Sequence, residues 1–66
     1  MEIVLNGEPR TVGADLSLAS LLTELGLAGK RLAVEVNRDI VPRGEHATRR
    51  LADGDRVEII HAIGGG

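Results

Sequence analysis

Arg56-Val-Glu-Ile-Ile-His-Ala-Ile-Gly-Gly-Gly66 is the stretch on which the fold turns. Val57 and Ile59 alternate with Arg56, Glu58 and Ile60, the period-2 pattern of a strand with one buried face. This segment is also the richest in β-branched residues, which suits it to a central place in a sheet. The pattern then runs out into Gly64-Gly65-Gly66. Glycine has no Cβ, so such a run can enter a slot too narrow for any other residue. The expected organisation is a folded unit over residues 1–63 and a flexible glycine tail over 64–66 that offers the carboxylate of Gly66 for chemistry. The bland alternative is a frayed end, because chain ends are commonly disordered.

Immediately upstream, Asp53-Gly54-Asp55 is a turn that launches this strand. It is too short for a calcium loop, which needs further oxygen ligands at fixed spacing. The polar stretch from Arg43 to Arg50 reads as a surface loop with one irregular turn, and Leu51 is the lone apolar anchor expected beneath it. Arg49-Arg50 is read as a solvated pair. Further back, Leu32, Val34 and Val36 alternate with Ala33 and Glu35, a second strand with its apolar set facing inward. Asn37-Arg38-Asp39 marks a turn, and Pro42 confines Ile40-Val41 to a short strand at an edge.

The first half of the chain supplies a hairpin and a helix. Ile3 and Leu5 share one face of the first strand, with Glu2, Val4 and Asn6 on the other. Asn6-Gly7 provides the two positive-φ positions of a tight hairpin turn. The return strand contains Pro9, which cannot donate to a ladder, so this strand belongs at the sheet edge. From Leu18 the apolar residues fall at Leu18, Leu21, Leu22 and Leu25, one face of a helix. Ser17 is placed to cap its first turn, and Gly26 to take the left-handed position just past its end. The leucine stripe is core rather than a partner site, because no other segment can bury Ile3 and Leu5.

Composition narrows the function. A chain of 66 residues is one small domain, and domains of this size bury only about 60% of their unfolded surface. A core so small cannot also enclose a drug-sized pocket of about 300 Å³ or more, which argues against a self-contained enzyme. With a formal charge of -2 and no aromatic residues, the chain lacks the basic footprint and the stacking platform of a nucleic-acid binder. No apolar run reaches the length of a membrane span, so a cytoplasmic protein without membrane association is expected. Cysteine is absent, which removes thiolate metal sites and thiol nucleophiles together. His46 and His61 are read as ordinary surface or half-buried residues, and neither has metal-ligand spacing.

The element order implies an α+β roll, a mixed sheet with one main helix packed on one face. A hairpin followed by one crossover helix favours a later strand parallel to strand one, and the final strand is its natural partner. That arrangement places Val4 and Ile60 side by side on the uncovered face, with Ala33 as a candidate neighbour and Glu2, Glu35 and Glu58 at the rim. Val4, Ile60 and Glu58 are therefore the candidate docking residues. Scattered surface aliphatics are the plain alternative.

Several of these pieces coincide with one known pattern: Val4-Leu5-Asn6-Gly7, Val36-Asn37-Arg38-Asp39-Ile40-Val41-Pro42-Arg43, Asp53-Gly54-Asp55, and the ending Gly65-Gly66. Together they resemble the ThiS-type sulfur carriers of bacterial thiamin-thiazole synthesis, which are ubiquitin-like β-grasp proteins. The resemblance covers essentially the whole chain. One departure is His46, where many members carry an aromatic residue shortly after the Pro-Arg pair. The resemblance implies a carrier, itself not an enzyme and binding no cofactor. Its terminal carboxylate on Gly66 would be adenylated with ATP by an E1-like activating enzyme. A sulfur donor protein would then convert it to a thiocarboxylate, and thiazole synthase would take the sulfur. Gly65 and Gly66 carry that role, and a monomer when free is expected. A carrier for another pathway, such as the small subunit of molybdopterin synthase, a protein modifier, and a plain interaction domain remain the competing readings.

Overall fold

The computed structural model describes residues 1–61. Strand β1 (Glu2–Leu5) turns at Asn6-Gly7 into β2 (Glu8–Thr11), and helix α1 (Leu18–Glu24) follows. Strand β3 (Leu32–Val36) leads into the short β4 (Asp39–Ile40), a 3-10 turn spans Arg43–Glu45, and β5 is Arg56–His61. The sheet order is β2-β1-β5-β3-β4. The strand nearest the end of the chain thus lies at the centre, parallel to β1 and antiparallel to β3. Both expected edges are present: β2, with Pro9, on one side and β4 on the other. This is the mixed-sheet, single-helix β-grasp arrangement.

Both hairpins follow from local backbone preference. Asn6 and Gly7 take φ of 49 and 84, and Asn37 and Arg38 take 52 and 72. Two successive positive-φ residues form the tight turn whose twist matches that of the flanking strands. The second turn sets Val36 opposite Asp39 and Glu35 opposite Ile40.

Helix α1 begins where Ser17 accepts from the Ser20 N–H at 3.1 Å. The Leu18 and Ala19 N–H groups donate to the Arg49 and His46 carbonyls, each at 2.9 Å, and the Leu21 N–H to the Ser17 carbonyl. The Leu18, Ala19 and Ser20 amides, which a helix start leaves without intrahelical partners, are therefore satisfied, and the Leu21 bond is the first of the helix itself. Gly26, with φ of 74, follows the other end. Leu18, Leu21 and Leu22 are buried against Ile3, Val34, Val36, Val57 and Ile59, and Leu5, Leu25 and Leu32 pack around them partly exposed.

The segment after Pro42 departs from expectation. Leu51 is not its lone anchor, because Val41 is buried and so is His46. The His46 Nε2 donates to the Val41 carbonyl at 3.0 Å, which places the ring proton on Nε2. With the His46 and Arg49 carbonyls on α1 and the Leu51 N–H on the Leu16 carbonyl, this segment is fastened to the start of the helix. His46 is thus a packed, hydrogen-bonded core member rather than the ordinary surface or half-buried residue expected.

Candidate docking face and tail

Strand β5 carries the candidate site, and four polar side chains hold it. The Asn37 Oδ1 accepts from the Arg56 N–H at 3.0 Å, while its Nδ2 donates to the Asp55 Oδ1 at 3.0 Å. The other Asp55 oxygen accepts from the Ala52 N–H at 2.8 Å, closing the Asp-Gly-Asp turn. The Asp53 Oδ1 accepts from the Glu2 N–H, and the Gly54 N–H donates to the Glu2 carbonyl, each at 2.7 Å. The turn therefore does more than reverse the chain: it fastens the start of β1 and aims β5 beside it. Asn6 reaches the Ile59 N–H from the first hairpin.

Val57 and Ile59 face the core, as the alternation implies, and Arg56, Glu58 and Ile60 face away from α1. On the same outer face lie Val4 of β1, Ala33 and Glu35 of β3, and Ile40 of β4. Ile60 stands opposite Ala33. Val4, however, stands opposite Arg56, so Val4 and Ile60 are not side by side. At about 3.3 Å per residue the offset from Arg56 to Ile60 is roughly 13 Å. The cause is the early hairpin: β1 turns away after Leu5, which pairs with Val57, and never reaches Ile60. Val4 and Glu58 do line one concavity, of about 150 Å³, together with Gly7, Arg38, Arg56 and Val57.

Sequence reasoning missed Ile40, which is 70% exposed against 53% for Ile60. Its signal was available, since a two-residue turn at Asn37-Arg38 forces Ile40 opposite Glu35 and onto the outer face. A second, open concavity of about 300 Å³ is lined by Arg31, Leu32, Ala33 and Arg43. It lies at the end of β5, where Leu32 pairs with His61. Gly65 and Gly66, the proposed reactive end, and the whole tail expected over 64–66 lie outside the described residues. Among those residues no helix is long and apolar enough to cross a membrane.

A family model described as the ThiS family matches residues 3–66. The chain belongs to the ThiS family. The sulfur carrier protein ThiS of Escherichia coli is 30% identical over 66 residues, covering 100% of both chains. A crystal structure of the thiamine biosynthesis protein ThiS from Geobacter metallireducens superposes with a TM-score of 0.87 at 33% identity, covering 100% of each chain. The thiazole synthase of Paramagnetospirillum magneticum is 44% identical over 66 residues, all of this ThiS-family chain but 20% of that enzyme. The chain thus spans about a fifth of the length of that relative.

Proposed function

We propose that this chain is a sulfur carrier in thiamin-thiazole biosynthesis, a substrate handed between enzymes rather than a catalyst. Membership of the ThiS family carries this reading. The placement of β5 supports it, because the strand that precedes Gly64-Gly65-Gly66 in the sequence is held on both sides, by β1 and by β3. A terminal carboxylate has a pKa of roughly 3.3 to 3.7 and is ionised at neutral pH. The Gly66 carboxylate attacks the α-phosphate of ATP in the active site of an E1-like adenylyltransferase, and pyrophosphate leaves. A sulfur nucleophile delivered by a donor protein then adds to the acyl carbon, the bond to AMP breaks, and a thiocarboxylate results. Gly65 and Gly66 let the tail thread each active site without side-chain clashes. ATP is consumed by the activating enzyme, and the carrier itself is proposed to bind no cofactor.

Thiazole synthase is the proposed acceptor, supported by the thiazole synthase of which a fifth matches this chain. Val4, Glu58 and Ile60 belong to the face proposed to meet the partners. The carrier is proposed to act in the cytoplasm and to be monomeric when free. Intact-mass measurement tests the reading. Incubation with the activating enzyme, ATP and a sulfur donor should add the mass of one oxygen-to-sulfur exchange at Gly66, and deletion of Gly66 should abolish it. Attachment through Gly66 to lysines of other proteins would instead identify a modifier.

A further inference from the structure

Glu35 on β3 and Glu58 on β5 stand directly opposite each other on the uncovered face of the sheet. The Asn37 N–H donates to the Arg56 carbonyl, and the Ile59 N–H points the other way, to Asn6. This phase makes Glu35 and Glu58 a hydrogen-bonded pair, with Cα atoms about 5.5 Å apart. Like charges directly opposite on neighbouring strands are destabilising. Neither makes a direct ion pair: Arg50 with Asp15 is the one ion pair among the described residues. Arg38 and Arg56 line a concavity with Glu58, yet neither makes an ion pair with it.

The surroundings define what would complete the pair. Glu35 is half-buried between Ile40 on one side and Glu58 on the other. Ile60 lies two residues along β5 from Glu58. Ile40 and Ile60 are the large apolar side chains that the described residues leave most exposed. Two adjacent carboxylates framed by two isoleucines match a cation carried on an apolar surface. Arginine fits better than lysine, because its planar fork can donate to both carboxylates at once and is more weakly hydrated, so it leaves water more readily.

We infer that the strip Ile40, Glu35, Glu58 and Ile60 docks onto the activating enzyme through an arginine that the enzyme presents between apolar side chains. The inference rests on the carrier reading above and adds the chemistry of the contact. The charge and apolar frame of the strip call for this cationic occupant, and reach allows it: Ile60 precedes Gly66 by six residues, an extended span of roughly 20 Å. A partner seated on this strip would hold its reaction centre within that distance of Ile60.

The test is titration of the full-length chain and its E35Q/E58Q double variant against the activating enzyme at low and high ionic strength. At low salt the double variant should bind at least about tenfold more weakly, and the gap should narrow as salt screens the wild-type contact. Its melting temperature should stay level or rise, because the repulsion is gone. Equal affinity and equal salt dependence would overturn the inference, as would weaker binding that accompanies a lower melting temperature. So would weakened binding to thiazole synthase alone. Intact-mass analysis separates this failure from that of the carrier reading: if both chains gain sulfur and bind alike, only the arginine contact is wrong. A wild-type chain that neither binds the activating enzyme nor gains sulfur would overturn both.

Discussion

The Asn6 Oδ1 accepts a hydrogen bond from the Ile59 N–H at 2.8 Å, across 53 residues of sequence. The Asn6 N–H makes the last backbone bond of the first hairpin to β5, to the Val57 carbonyl at 2.9 Å, so β5 runs on with the Ile59 donor facing an empty place in the ladder. The asparagine that makes the turn also fills that place with its side chain.

Asn6→Gly keeps the positive φ but loses the acceptor, whereas Asn6→Asp keeps the acceptor. The glycine variant should be less stable than the aspartate variant by about 1 to 3 kcal/mol, the cost of a donor left without its partner. Urea denaturation measures this, and amide exchange should quicken at Ile59 in the glycine variant. Equal stability of the two would mean that water serves Ile59 as well as Asn6 does.

Leu21 is fully buried at the contact between α1 and the sheet. Leu21→Ala should cost about 2 to 5 kcal/mol, a large part of the stability available to so small a domain. A thermal melt showing a loss below about 0.5 kcal/mol would contradict the packing described.

His46→Ala should destabilise by about 1 to 3 kcal/mol, through the unpaired Val41 carbonyl and the lost packing beneath the 43–50 segment. His46→Gln retains a donor at similar reach and should recover part of the loss. Proteolysis offers a second measurement: the alanine variant should be nicked between Arg43 and Arg50 sooner than the wild type. Identical cleavage rates would show that the histidine does not anchor that segment.

Ile60→Asp places a charge on a side chain that is 53% exposed, so the melting temperature should change little. Binding to the activating enzyme should fall sharply, because the few side chains that dominate an interface are the ones whose loss is felt. Unchanged affinity would remove Ile60 from the interface.

Periodicity and turn chemistry made most of the fold legible. The alternation at Val34, Val36, Val57 and Ile59 assigned the buried faces, Pro9 and Pro42 marked the edges, and Ser17 and Gly26 bounded the helix. What local pattern could not give was distance between strands. The offset of Val4 from Ile60 depends on how far β1 runs beside β5, which a parallel pairing joined by a long crossover leaves unspecified. The side chains of Asn6, Asn37 and Asp55 were legible as turn formers, but their bonds to β5 and to one another exist only once the sheet is assembled. His46 was misjudged for a similar reason: its burial comes from Val41 and the start of α1, neither of which is its helical or strand neighbour.

The parallel pairing of β1 with β5 also has a mechanical side. Tension on the chain beyond His61 pulls β5 along its own axis, so its ladder bonds to β1 and β3 are sheared together rather than peeled apart singly. A load on that end therefore meets the hydrogen bonds of both ladders at once, not one bond at a time.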